Sequence, residues 1–178
     1  MAELDPRIKE VKDLIEFCPD FPKPGIVFQN LFPVLRNPKV FQGLIDVLVE
    51  DIKSKHPDVD VIIGLDSRGF LFGPLIALAL NVAFVPVRKK GKLPGETHKV
   101  EYSLEYGKDS CEIQKNSIQP GQKVIIIDDL LATGGTMKAA CDLMEAAEAK
   151  ILSCMVVIEL KFLDGAKKLK YPLLSYIS

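Results

Sequence analysis

Val124-Ile-Ile-Ile-Asp-Asp-Leu-Leu-Ala-Thr-Gly-Gly-Thr136 decides how the rest of the chain is read. Val124, Ile125, Ile126 and Ile127 are four apolar β-branched residues in a row, the pattern of a strand buried on both faces. Asp128 and Asp129 stand where that strand is expected to end, and Ala132, Thr133, Gly134, Gly135 and Thr136 follow as a loop of small residues. Met137, Ala140, Cys141, Met144 and Ala147 then recur at helical spacing. A small-residue loop opening a helix offers backbone N–H groups and a positive dipole end to an anion. Carboxylates repel phosphate and suit sugar hydroxyls or a hard cation such as Mg²⁺. A ligand that joins phosphate, vicinal diol and metal is a phosphorylated ribose. A bare strand-to-helix turn with a Thr cap is the blander alternative. Two adjacent acids at a strand's carboxyl end, where open α/β sheets bind ligands, weigh against it.

Outward from this stretch, β-branched runs alternate with helical patterns. Val59–Ile63, Ala83–Val87, Ile151–Leu160 and Pro172–Ile177 read as further strands. Leu75–Leu80 and the segment opened by Asn37-Pro38 read as helices, and 162–169 as a weak helical turn. This alternation gives an α/β fold with a central parallel sheet flanked by helices, in one domain covering 1–178. Asp5-Pro6 starts a first helix whose apolar face runs through Phe17, and Pro19 to Gly25 then forms a stiff irregular loop. Residues 1–36 fall outside the alternation and are expected to cover the site as a hood. Val100, Tyr102 and Leu104 alternate with polar residues, and Cys111–Gln114 follows after Gly107-Lys-Asp-Ser110. This gives a polar hairpin without an evident place in the core, either a surface feature or a flexible flap over about 93–114 that closes on a site.

Two more basic or mixed loops end parallel strands. Gly64-Leu-Asp-Ser-Arg-Gly69 has P-loop-like spacing, but Phe70 stands where that motif requires lysine. Ser67 and Arg68 remain an anion site, with a helix from Phe70 onward adding its N-terminus. The cluster Arg88-Lys-Lys-Gly-Lys92 follows the next strand. Three strand ends thus converge on a polyanion the size of pyrophosphate.

Composition sets the background. The 178 residues are 48% hydrophobic and 26% charged with a net charge of −1, which gives no global attraction to nucleic acid or anionic membrane. The charged N-terminal stretch carries no secretory pattern. The uncharged run Phe70–Val87 is broken by Pro74, Asn81 and Pro86, so it reads as helix and strand rather than as a membrane span. Cys18, Cys111, Cys141 and Cys154 lack metal or redox spacing and read as reduced thiols of a cytoplasmic protein. His56 and His98 stand apart from any ligand cluster.

The chain resembles the adenine phosphoribosyltransferases, a family among the type I phosphoribosyltransferases. The resemblance rests on the segment ending at Thr136 and on Cys18-Pro-Asp-Phe-Pro-Lys-Pro-Gly-Ile-Val-Phe28, Gly64-Leu-Asp-Ser-Arg-Gly-Phe-Leu-Phe-Gly73, Arg88-Lys-Lys-Gly-Lys-Leu-Pro-Gly95 and Tyr102-Ser-Leu-Glu-Tyr-Gly107. It implies transfer of phosphoribosyl from phosphoribosyl pyrophosphate to adenine, giving AMP and pyrophosphate in purine salvage. It implies Mg²⁺ carried by the substrate rather than by direct protein ligands, and a homodimer with the basic segment near its interface. By the same resemblance Asp128 and Asp129 hold the ribose hydroxyls and Ala132, Thr133, Gly134, Gly135 and Thr136 cradle the 5′-phosphate. Ser67 and Arg68, reached across a cis peptide, bind pyrophosphate with Arg88 and Lys92. Glu105 is the proton-transfer residue at purine N7, Tyr106 helps close the flap, and Val27, Phe28, Gln29 and Leu160 frame the base. Where the family shows Arg-Asp, this chain has Gln29-Asn30, which removes two charges from the loop expected to meet the base. Two alternatives stay open: a transferase for another purine, and a phosphoribosyl pyrophosphate sensor that has lost catalysis.

Overall fold

The protein is described by a computed structural model over residues 4–104 and 107–178. The chain divides into two compact units, 1–51 and 52–178.

In the first unit, α1 (Pro6–Leu14) begins where the Asp5 side chain accepts the Arg7 N–H and Pro6 occupies the first turn. Arg7 is also held by the Glu50 carboxylate at 2.7 Å. The helix ends at Leu14, earlier than its apolar pattern suggests, because Glu16–Pro19 is a strand, β1. It pairs antiparallel with β2 (Val27–Asn30), in register from Glu16 opposite Asn30 to Pro19 opposite Val27. Phe17 is correspondingly exposed rather than turned into a helix's buried face. Pro19 therefore belongs to a ladder, and the irregular loop is the connection beyond it, with a cis Phe21-Pro22 bond and the Gly25 N–H donating to Asp20 Oδ1. A short α2 (Phe32–Leu35) precedes α3 (Pro38–Lys55), which leads into the second unit.

The second unit is built on one seven-stranded sheet. Its strands are β3 (Val61–Leu65), β4 (Ala83–Lys89), β5 (Thr97–Leu104), β6 (Gly107–Gln114), β7 (Lys123–Leu131), β8 (Lys150–Glu159) and β9 (Leu173–Ile177). They lie in the order β5-β6-β4-β3-β7-β8-β9. The pairs from β4 to β9 are parallel, while β6 joins β4 and β5 antiparallel, so the sheet is mostly rather than wholly parallel. Every residue of β3 is buried, as are Val124 to Ile127 of β7, which is why these strands read as unbroken apolar runs. Met137, Ala140, Cys141 and Met144 of α5 (Gly135–Ala146) pack into the core with Val61, Ile63, Val124, Ile126 and Val156. Between β3 and β4 runs α4 (Gly73–Leu80), closed by Asn81 in the left-handed conformation.

Four local expectations need correction. β7 continues through both acids to Leu131 instead of ending at Ile127. Arg68–Leu71 is a single 3₁₀ turn and α4 starts only at Gly73, so no α-helix begins at Phe70. The segment 162–169 is helical as expected, in the form of two 3₁₀ turns, Lys161–Leu163 and Gly165–Lys168. In the hairpin, Gly107 already pairs with Leu104, so Gly107 to Ser110 is strand and not turn. Nor is the hairpin free of the core, since Cys111 and Ile113 are buried in it.

Candidate active site

β3 runs beside β4 on one side and β7 on the other, so the chain's progress through the sheet reverses direction here. Ligands of open α/β sheets bind outside the strands' carboxyl ends at such a reversal. Ser67, Arg68, Arg88, the two acids of β7 and the loop after them lie at or near these ends. After β3 comes Asp66, joined to Ser67 by a cis peptide bond, then Arg68. At Gly69 an added Cβ would stand 2.5 Å from the Ile127 carbonyl, so only glycine lets this loop pack onto β7.

Arg68 Nε reaches Asp129 Oδ2 at 2.8 Å, and the Asp129 carboxylate is almost wholly buried. Arg88, at the end of β4, puts its Nε 3.0 Å from Asp66 Oδ2, with its guanidinium 6.0 Å from the centre of the Phe70 ring. The ends of β4, β3 and β7 are therefore linked through two arginine–aspartate pairs. Lys92 is exposed on the loop beyond Arg88. Asp66, which the sequence reading left without a role, anchors Arg88.

Asp128 and Asp129 lie next to each other, with the Asp129 N–H donating to Asp128 Oδ1 at 2.9 Å. Burial, and then the adjoining Asp129 charge, pushes Asp128 well above the ordinary carboxylate range. Burial also raises Asp129, with the Arg68 guanidinium pulling the other way. Such a pair gains from hydroxyl donors, which satisfy the carboxylates without adding charge.

The loop after β7 leads to Gly134, in the left-handed conformation at φ 78°, which starts α5 with no side chain capping the helix. The first-turn amides of a twelve-residue helix are thus left for a ligand. Gly165 closes on this loop from the far side. A Cβ on Gly165 would stand 2.1 Å from the Ala132 carbonyl, and one on Gly134 would stand 2.4 Å from the Gly165 carbonyl. Leu160, half-buried after β8, donates its N–H to the Leu131 carbonyl at 2.9 Å. In the first unit, β2 carries exposed Val27, half-buried Phe28, which meets Phe21 edge-on at 5.2 Å, and Gln29 opposite Phe17. Glu105 and Tyr106 lie outside the described residues.

The description of a phosphoribosyl transferase domain matches residues 33–173. Human adenine phosphoribosyltransferase is 49% identical over 166 residues, covering 93% of this chain and 92% of its own length. The chain belongs to the phosphoribosyltransferase family. Among solved structures of the family, adenine phosphoribosyltransferase from Saccharomyces cerevisiae superimposes with a TM-score of 0.94 at 49% identity, covering 96% of this chain and 98% of its own. That enzyme was crystallised with an imino-altritol bisphosphate and adenine. The Trypanosoma brucei enzyme, in complex with AMP, pyrophosphate and ribose-5-phosphate, gives a TM-score of 0.90 at 31% identity, covering 99% of this chain and 81% of its own.

Family membership also frames two groups that the sequence reading missed. Gly165 lies in a segment with no motif of its own, so its close approach to the loop after β7 had no signal. Glu112 looked like one polar position of a hairpin, yet it is 1% exposed. Its Oε1 accepts the amides of Gly91, Lys92 and Leu93 at 2.8, 3.1 and 3.2 Å, and its Oε2 lies 3.3 Å from the Thr97 hydroxyl. Burial alone would raise its pKa, but the Leu93, Gly91 and Lys92 amides and the Thr97 hydroxyl hold it below the ordinary value.

The donor set also fits the metal that the family implies. No group of three or more His, Cys, Asp or Glu side chains arranged to hold a metal occurs among the described residues. Asp129 is already engaged by Arg68, leaving Asp128 as the less committed carboxylate. Mg²⁺ characteristically takes one or two carboxylates together with substrate phosphates and water, a donor set with which this acidic pair is compatible.

Proposed function

We propose that the protein is an adenine phosphoribosyltransferase of purine salvage, converting adenine and phosphoribosyl pyrophosphate to AMP and pyrophosphate. The observation that carries this reading is the acidic pair, Asp129 buried and Asp128 half-buried, followed by the uncapped start of α5, at the sheet's reversal point. In this reading Asp128 and Asp129 accept from the ribose hydroxyls, and the amides from Ala132 to Thr136, with the hydroxyls of Thr133 and Thr136, hold the 5′-phosphate. Ser67, Arg68, Arg88 and Lys92 take the pyrophosphate. Val27, Phe28, Gln29 and Leu160 frame adenine, with residues 1–36 as the hood and 93–114 as the flap.

The ribose C1–oxygen bond to pyrophosphate breaks, and its electron pair leaves with the pyrophosphate. Purine N9 forms the new bond to C1, and the proton on N7 passes to Glu105. Positive charge developing on the sugar is stabilised by the fixed carboxylates of Asp128 and Asp129. Flap closure with Tyr106 keeps water from that cation. Mg²⁺ bound to the phosphates would neutralise charge on the leaving group.

The same reading makes the protein a cytoplasmic homodimer. Four free cysteines support a reducing compartment, including the unbonded Cys141 and Cys154 with sulfurs 3.5 Å apart. Leu75 and Leu78, exposed together on α4, support burial against a second copy.

Purified protein mixed with phosphoribosyl pyrophosphate, Mg²⁺ and each purine base in turn is expected to form AMP and pyrophosphate with adenine. Faster turnover of hypoxanthine or guanine would replace adenine as the substrate. Turnover of no base would leave only a binding protein.

A further inference from the structure

Three consecutive amides of the basic loop, those of Gly91, Lys92 and Leu93, converge on one oxygen of Glu112. Successive N–H groups gathered in this way form an anion nest, and here the anion is the protein's own carboxylate. Its other oxygen faces the Thr97 hydroxyl and lies 3.6 Å from Lys99 Nζ. Glu112 sits opposite Arg88 in the β4–β6 register, beside the strand that ends in the cluster. Further bonds close the loop, from the Lys90 N–H to the Ser110 carbonyl and from the Lys92 N–H to the Lys89 carbonyl. Gly91 takes φ 79°, which permits the sharp turn.

We infer that Glu112 is a positioning residue for phosphoribosyl pyrophosphate: its buried carboxylate fixes the Gly91–Leu93 backbone so that Arg88 and Lys92 present their charges to the pyrophosphate. The inference rests on the proposed role of Arg88 and Lys92. An ionised internal acceptor matches a loop whose amides would otherwise be free to turn toward any anion. Because the loop's backbone donors are committed to Glu112, a ligand at this loop meets its side chains. Glu112 also lies on β6, the returning strand of the hairpin proposed as the flap, so the flap and the pyrophosphate loop share one anchor.

Glu112→Gln keeps the volume but exchanges charge-assisted bonds for neutral ones and turns an NH₂ group toward other donors. Its effect is to be read in steady-state kinetics of the full chain, beside Lys92→Ala and Arg88→Ala. The KM for phosphoribosyl pyrophosphate is expected to rise about tenfold in Glu112→Gln, the scale of losing one charged contact, while the KM for adenine holds. If Lys92→Ala or Arg88→Ala raises that KM and a folded Glu112→Gln does not, the positioning role is wrong and the pyrophosphate assignment stands. If neither Lys92→Ala nor Arg88→Ala raises it, the pyrophosphate assignment fails and the inference with it. Equal changes in both KM values, accompanied by a lower melting temperature, would make Glu112 structural only. Should Glu112→Gln fail to fold, Thr97→Val removes one donor from the same carboxylate. It should raise the phosphoribosyl pyrophosphate KM about threefold, as loss of a neutral hydrogen bond does, and no rise would overturn the inference.

Discussion

Arg68 Nε lies 2.8 Å from Asp129 Oδ2, so the cation that follows β3 is already joined to the strand that offers the acids. In the proposed reading the substrate engages both partners of this pair, the guanidinium through phosphate oxygens and the carboxylate through hydroxyls. The Arg68 charge also favours the ionised form of both acids, against the desolvation that raises them. Asp128 has a raised pKa, so it holds its proton to higher pH in the folded protein than in the unfolded chain. Its contribution to stability is full below the unfolded carboxylate value of about 3.9 and is lost as pH rises through the raised folded value. Arg68→Met removes the opposing charge and pushes both carboxyls further up. The variant should lose little at pH 4 and about 1–3 kcal/mol at pH 8, less than for a fully buried pair because Arg68 is part-exposed. Urea unfolding across that range checks the slope. A loss that is the same at every pH would show that packing, not charge, is what Arg68 supplies.

Glu105 follows the last described pair of the outgoing hairpin strand, Leu104 opposite Gly107. If it takes the proton from N7, Glu105→Gln keeps shape and removes the acceptor. Turnover should fall by roughly a hundredfold, the usual scale for losing acid–base help, with the melting temperature unchanged. Near-normal turnover would take Glu105 out of the catalytic group.

The Gly165 contact predicts an effect on phosphate binding from a residue outside every recognised motif. Gly165→Ala drives a methyl group into the Ala132 carbonyl, and the loop must give way. Overpacking of this kind costs about 1–3 kcal/mol, and AMP binding should weaken by about tenfold as the loop amides move. Gly43→Ala is the control: its Cβ meets Arg7 at an ordinary 3.5 Å within α3, where alanine is the better helix former. Isothermal titration with AMP separates the two, and unchanged affinity in Gly165→Ala would remove the bracing role.

These cases indicate where sequence pattern suffices. A strand buried on both faces must be apolar throughout, so Val61–Ile63 and Val124–Ile127 declare themselves, while Gly64 and Leu65, read as loop, continue the first of them. Asp128 and Asp129 disguise the continuation of the same strand, because carboxylates inside a ladder look like its end. Gly107 to Ser110 has turn composition but is held as strand by pairing with residues 101–104. β1 and β2 are hidden by prolines and by a connection that sets the partners eight to fourteen residues apart. Glu112 shows only as a polar alternation, since its partners are backbone amides some twenty positions earlier. Motif residues were legible because ligand chemistry restricts them; the groups that brace them answer to neighbours that no spacing rule connects.

The departure at Gln29-Asn30 divides into two separate effects. Asn30 Nδ2 donates to Glu16 Oε2 at 2.9 Å across the β1–β2 ladder, and its Oδ1 accepts the Phe32 N–H at 3.1 Å at the start of α2. Aspartate could keep the second bond but would set a carboxylate against Glu16. Asn30→Asp alone should therefore cost about 0.5–1 kcal/mol, as like charges directly opposite do, and should be seen as a lower melting temperature. Gln29 is the position expected to act on the base. An arginine there would replace a neutral contact by a charged one, worth about 1–2 kcal/mol, or roughly tenfold in adenine KM. In Gln29→Arg with Asn30→Asp the two new charges compensate, so stability should recover while the lower adenine KM is kept. Hypoxanthine and guanine should remain poor in all three variants, because backbone groups near Val27 are unchanged. An adenine KM that falls with Asn30→Asp and not with Gln29→Arg would reverse the assignment of the two positions. An unaltered adenine KM in the double variant would mean that the loop's charges do not govern base binding in this protein.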